Sequence, residues 1–323
     1  MTTAPDNALA MDALAGLWQT PPSLPARWFY DDRGSRLFDE ITRLPEYYPT
    51  RRETEILRDH GAEIVTLTDA DTLVELGAGM STKTRIMLDA FTAARRPLRF
   101  VPIDVSATVL TEAAEAIARD YPTTTVEPVV DDFVAPRRFP GRPGARLVMF
   151  LGGTIGNFDD EQRAAFLARL RDALAAGDHF LLGADLVKAP SRLLAAYDDS
   201  LGATAEFNRN LIEVLRATLD ADGLFVDDFE HVVRWNAERH RVEMWLRARR
   251  DVTARFRALG RDWKLPAGDG MLTEISVKFR LPDLRAELAE HGFAPVRTWT
   301  DPDEDFSVTL ARAVTRGSVD TNG

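Results

Sequence analysis

The sequence predicts an α/β protein: a doubly wound sheet of mostly parallel strands closed by a final antiparallel strand, with a smaller α+β accessory domain. Three observations carry this prediction. Short continuous apolar runs alternate with amphipathic stretches over residues 52–187, the pattern of parallel strands covered by helices on both faces. A glycine turn, Gly77-Ala78-Gly79, directly follows the first of those runs. The rhythm breaks over residues 188–278 and returns over 279–323, as it does when a chain leaves a sheet and rejoins it. The expected domains are therefore 52–187 with 279–323, and 1–51 with 188–278.

Residues 1–51 are rich in proline and aromatics, in PPSLPARWFYDD and LPEYYPTRR. Proline disfavours helix at the residue before it, so an irregular arm with short helices is expected. Trp28, Phe29, Tyr30, Phe38, Tyr47 and Tyr48 argue that the arm packs, since disordered linkers are poor in aromatics. The strand runs follow at 72–76 (TLVEL), 98–105 (LRFVPIDV), 124–133 (TTVEPVVDDF), 146–153 (RLVMFLGG) and 179–186 (HFLLGADL). Between them lie amphipathic helices, among them 82–94 and 160–177, the second expected to end on Gly177. In the insertion, helical stretches at 191–199 and 203–219 precede a hairpin over 231–250 that turns near 236–238, and another alternating strand at 271–279. The tail reads as helix (281–292), strand (295–301) and strand (306–313).

Composition excludes several functions. Of the 323 residues, 45% are apolar and 28% charged, and the net charge of −11 repels phosphate backbones and anionic membranes, so neither nucleic acid nor membrane is an expected partner. With no cysteine there is no disulfide, thiolate metal site or cysteine nucleophile. The five histidines form no ligand pair, and no metal is expected. No stretch reaches the ~18 apolar residues of a membrane span. The start lacks the basic and apolar blocks of a signal peptide, so a cytoplasmic protein is expected.

The glycine turn admits two cofactors. A dinucleotide fold wants a third small residue where Thr82 stands, and Glu75 ahead of the glycines is out of place beside a pyrophosphate but welcome beside a sulfonium. S-adenosylmethionine therefore fits better than NAD. Asp104, ending the second strand run, can accept both ribose hydroxyls; Asp132 and Phe133, ending the third, suit an adenine amine and ring. Taken singly, each aspartate reads as a loop or capping residue; their order on successive strand ends favours a methyltransferase-type site. Lys83, one of four lysines, sits in the first helical turn where the helix dipole disfavours a cation. Pairing with the carboxylate of the cofactor would offset that cost, and snorkelling to solvent is the alternative.

Four strings, ITRLPEYYPTRRETEIL, LVELGAGMSTKTR, FLGGTIGNF and MLTEISVKF, together resemble the histidine N-alpha-methyltransferases of ergothioneine biosynthesis, in order and over about residues 24–312. The resemblance implies a class I methyltransferase sheet that binds S-adenosylmethionine through Gly77, Lys83, Asp104, Asp132 and Phe133 and releases S-adenosylhomocysteine. It implies that L-histidine is held between the two domains by Tyr47, Asn157, Tyr197, Glu274 and Ser276, with Met244 near its ring. It further implies a monomer and three methyl transfers to the α-amino group, giving hercynine.

The residue chemistry is compatible with those roles. Asn157 and Tyr197 can donate to a substrate carboxylate. Glu274 and Ser276, two apart in a strand, share a face and can pair with both imidazole nitrogens; Leu272 and Lys278 are expected on that face too. Tyr47, between Pro45 and Pro49, is the expected catalytic residue, orienting the amine lone pair. Each has a plainer reading: Asn157 as a turn residue, Tyr197 as a helix residue with a solvated tip, Glu274 and Ser276 as the wet face of an edge strand, and Tyr47 or Tyr48 as arm packing. Rival functions on the same sheet are a methyltransferase for another small amine or amino acid, an NAD-dependent oxidoreductase, and a non-catalytic ligand-binding protein.

Overall fold

The computed structural model describes residues 4–78, 82–105, 107–131 and 139–315. In chain order the strands are β1 (Thr72–Leu76), β2 (Leu98–Asp104), β3 (Thr124–Val126), β4 (Val129–Val130), β5 (Arg146–Phe150), β6 (His179–Asp185), β7 (Ala221–Asp222), β8 (Phe229–Asn236), β9 (Arg241–Ala248), β10 (Val252–Phe256), β11 (Arg261–Leu265), β12 (Gly270–Val277), β13 (Phe293–Thr300) and β14 (Phe306–Ala313). The chain forms two compact units, Pro49–Val187 with Lys278–Gly323, and Met1–Tyr48 with Lys188–Val277.

The first unit holds an eight-stranded sheet of order β13-β14-β6-β5-β1-β2-β3, with β4 also on β2. The pairings among β1 to β6 are parallel, whereas β14 is antiparallel to both β6 and β13. One reversed strand thus sits inside an otherwise parallel sheet, as expected. Every residue of β1, β5 and β6 is buried, which is why their sequences are mostly apolar. Leu73, Phe100, Leu147, Leu181 and Val308 from the sheet share one core with Ile56, Leu57, Met87 and Phe91 from helices.

Two local expectations fail and one helix goes unforeseen, each for a visible reason. The run 124–133 is two short strands, β3 and β4, because Pro128 between them has no N–H to offer β2. The helix after β5 spans Asp160–Ala173 and stops short of Gly177. The Asp178 carboxylate accepts from Ala175 N (2.8 Å) and Arg171 donates to the Leu174 carbonyl (3.0 Å), so the chain turns early and Gly177 (φ 93°) serves the turn into β6. The helix Tyr48–Thr68 was hidden behind a proline; Pro49 stands in its first turn, where the missing N–H costs nothing.

The second unit contains two three-stranded sheets, β12-β9-β8 and β11-β10-β7. The hairpin β8–β9 closes on the pair Asn236–Arg241, at the expected turn. The N-terminal segment joins this unit through backbone bonds from Leu24 N to Leu272 O (3.1 Å) and from Leu272 N to Pro22 O (2.8 Å). Its helices, Ala4–Gly16 and Asp32–Ile41, make it more helical than its prolines imply. Phe29, Phe207, Leu211, Leu246, Phe256 and Trp263 belong to the core of this unit. Among the described residues, no helix is long and apolar enough to cross a membrane.

Candidate active site

In the sheet unit, Gly77 and Asp104 lie at the carboxyl ends of β1 and β2, where ligands of such sheets bind. β1 runs into Gly77, whose left-handed φ of 71° a side chain would resist. The N–H groups of Gly77 and Ala78 donate to the Ile103 carbonyl at 2.9 and 3.1 Å, pinning the turn to the end of β2. Asp104, the last residue of β2, stands opposite Val130 of β4 and accepts through its backbone carbonyl from Asp131 N (3.2 Å). Glu75 is buried and accepts from the Thr84 hydroxyl at 2.6 Å, so it also ties β1 to the helix Thr82–Ala93. Asp132 and Phe133, like Gly79, lie outside the described residues.

Lys83 neither snorkels nor stands free. Its Nζ lies 2.7 Å from Oε2 of Glu53, a residue with no exposed surface. Both Glu53 oxygens also accept from the Gly152 N–H, at 2.9 and 2.8 Å, at the turn after β5. Glu53 therefore couples the helix after the glycine turn to the turn that leads into Asn157. Its place exists because β6 offers Gly183 there: a Cβ on that residue would fall 1.8 Å from Glu53 Oε1. Asn157 ends the short 3₁₀ turn Thr154–Asn157, half-buried, just before the Asp159 capping box that opens the next helix.

In the other unit, the remaining candidates converge. Tyr47 and Tyr197 are both buried, with ring centroids 6.3 Å apart and planes at 70°. The Tyr197 hydroxyl and Ser276 Oγ are 2.7 Å apart in a shared hydrogen bond. Glu274 stands directly opposite Met244 in the β12–β9 pairing. Tyr48, by contrast, is occupied elsewhere: Lys188 donates to its hydroxyl at 2.7 Å, and Lys188 and Arg192 lie over its ring. Of the two tyrosines, Tyr47 is the one in the cluster.

The shared face proposed for Leu272, Glu274, Ser276 and Lys278 needs correction. A β-bulge at Thr273 shifts the register, so that Leu272 faces Trp245 while Glu274 faces Met244. Neighbouring β9 residues point to opposite faces, so Leu272 and Glu274 do as well. Lys278 lies beyond β12 in the sheet unit, fully enclosed, with its Nζ 2.8 Å from Asp185 Oδ2.

The structure adds Tyr30 to this cluster. Burial, then the charge of Glu274, then the Tyr47 and Tyr197 phenols raise its pKa well above the ordinary 10.0, although the residue is 44% exposed. Tyr30 is thus a protonated phenol at neutral pH and can donate. In the sequence its string WFYDD reads only as arm packing.

The groups at the carboxyl edge fit an adenosyl sulfonium better than a pyrophosphate: Gly77 exposed at the turn, a carboxylate at the end of β2 to accept from hydroxyls, and a lysine whose charge Glu53 already balances. Comparison with known proteins agrees. The family model described as histidine-specific methyltransferase, SAM-dependent, matches residues 9–313. The chain is 51% identical to the histidine N-alpha-methyltransferase of Mycolicibacterium smegmatis, over 94% of this chain and 95% of the relative. It is 50% identical to the enzyme of the same name from Mycobacterium tuberculosis, over 94% of each. A 4-dimethylallyltryptophan N-methyltransferase of Claviceps purpurea is 28% identical over 59% of each chain. The chain belongs to the histidine-specific, S-adenosylmethionine-dependent methyltransferase family.

Proposed function

We propose that this protein transfers three methyl groups from S-adenosylmethionine to the α-amino nitrogen of L-histidine, giving hercynine, the first step of ergothioneine biosynthesis. The observation that carries the choice of amino acid is Ser276 beside Glu274 in an aromatic wall, a hydroxyl and a carboxylate, with the Ser276 hydroxyl held 2.7 Å from that of Tyr197. An imidazole has one N–H to give and one nitrogen to accept, and this set answers both. Asn157 is the proposed donor to the substrate carboxylate. Gly77, Lys83, Asp104, Asp132 and Phe133 are the proposed cofactor contacts, and the sheet unit is the proposed cofactor domain. We propose a cytoplasmic enzyme, and a monomer on the resemblance alone.

When bound, the cofactor supplies a methyl group already activated on a sulfonium. What the protein contributes is alignment. Only the neutral amine is nucleophilic; peptide α-amino groups titrate near ~8 and that of a free amino acid, beside its own carboxylate, higher, so a proton must leave the nitrogen before each transfer. Holding the nitrogen in line with the methyl carbon can be worth on the order of 7–11 kcal/mol. Tyr47 orients the amine through its hydroxyl, and Tyr30, protonated, is the second phenol available to it. Initial rates of methyl transfer to histidine, with S-adenosylhomocysteine affinity measured by calorimetry, test this assignment. Tyr47→Phe is expected to slow transfer by up to about tenfold, the value of one hydrogen bond, with cofactor affinity unchanged. No transfer by the wild type would refute the reading; unchanged turnover in the variant would remove Tyr47 from the mechanism.

A further inference from the structure

Next to Glu274 and Tyr197 runs a chain of buried and half-buried polar groups that no role described above uses. Asn208, on the helix Ala203–Thr218, has no exposed surface. Its Nδ2 lies 2.8 Å from His231 Nδ1 and donates to the Trp245 carbonyl at 3.1 Å, so both amide hydrogens are used. Its Oδ1 accepts from the Thr273 hydroxyl at 2.7 Å, and that hydroxyl also lies 3.0 Å from the Met244 carbonyl. Thr273 is itself fully buried and is the extra residue of the β12 bulge, immediately before Glu274.

The polarity of the chain is fixed from end to end. An amide nitrogen can only donate, so His231 Nδ1 accepts. Its Nε2 then carries the hydrogen and donates to the Tyr197 carbonyl at 2.8 Å. Burial lowers the pKa of His231, which holds the ring in this neutral form. One end of the chain thus grips the bulge that sets the direction of Glu274. The other grips the backbone of Tyr197 at the end of the helix Pro190–Tyr197, whose hydroxyl meets Ser276.

A bulge leaves one residue out of the ladder and bends its strand, so its geometry depends on what holds the unpaired residue. Here the Thr273 hydroxyl provides that hold. We infer that Asn208, Thr273 and His231 are positioning residues that set Glu274 and Tyr197 in register for the amino-acid substrate. This rests on the proposed role of those two residues, and it predicts a specific signature. The network acts on groups that bind the amino acid in ground and transition state alike, so losing it raises KM more than it lowers kcat. Cofactor contacts belong to the other unit and are untouched.

The test compares Thr273→Val, which keeps the β-branched shape but loses the hydroxyl, with Thr273→Ser, which keeps the hydroxyl. KM and kcat are measured for whichever amino acid the wild type methylates, and the Kd of S-adenosylhomocysteine by calorimetry. Thr273→Val is expected to raise KM about 3–10-fold, the loss of one buried hydrogen bond, with Kd for the cofactor product unchanged; Thr273→Ser returns KM to near wild type. His231→Phe, acting from β8, is expected to give the same split should Thr273→Val not fold. A Val variant equal to wild type, Val and Ser variants equally impaired, a parallel loss of cofactor affinity, or failure of both Thr273→Val and His231→Phe to fold would overturn the inference. A wild type that methylates some other amino acid refutes histidine as substrate and leaves this comparison intact; one that methylates none overturns both.

Discussion

Glu53→Ala is expected to lower the unfolding free energy by about 3–5 kcal/mol, the range for removing one partner from a buried ion pair. The carboxylate is fully enclosed, its Lys83 partner is only 13% exposed in its side chain, and the Gly152 N–H loses its acceptor at the same time. Glu53→Gln keeps an acceptor for Gly152 but not the charge for Lys83, and should lose less. Gly183→Ala attacks the same arrangement from the sheet, because its Cβ and Glu53 Oε1 would need to occupy one place. Combining Gly183→Ala with Glu53→Ala should therefore cost less than the two single losses added. Urea denaturation monitored by circular dichroism measures all four variants. A loss below about 1 kcal/mol for Glu53→Ala would mean that Lys83 finds water on its own and that the pair organises nothing.

Glu274→Ala should reduce kcat/KM for histidine on the order of 10–100-fold, the value of a hydrogen bond to a charged group. The larger consequence is for discrimination. A site with fixed polar partners rejects substrates that leave those partners unpaired, and removing the carboxylate removes the penalty for an apolar ring. Turnover of tryptophan or phenylalanine should consequently fall much less than that of histidine, or rise. Met244, facing Glu274 across the pairing, already supplies an adaptable apolar neighbour for such a ring. An equal loss for every amino acid tried would show that Glu274 holds the structure and does not read the imidazole.

How much of this was legible in the sequence depended on how local the cause was. The parallel strands were visible because β1, β5 and β6 are buried on both faces and are apolar at most positions. The hairpin at Asn236–Arg241 was visible because its turn interrupts two alternating runs. The bulge at Thr273 was not, since strict alternation in MLTEISVKF begins only at Glu274 and the register shift just ahead of it is imposed by β9 and Asn208. Glu53 was invisible for a similar reason. In RRETEIL it reads as a charge on a solvated helix, and only the missing side chain of Gly183, 130 positions later, makes room for it inside. Glu274, Ser276, Tyr197 and Tyr47 could be named from the resemblance, while the strings alone favoured an edge strand and a packed arm.

The most direct test of the central claim is mass spectrometry of the purified protein incubated with S-adenosylmethionine and an equimolar mixture of the free amino acids. The account predicts that histidine alone gains mass, ending at three methyl groups, while S-adenosylhomocysteine accumulates at three per histidine consumed. Methylation of another amino acid in preference to histidine, or S-adenosylhomocysteine binding with no methylated product at all, would contradict it.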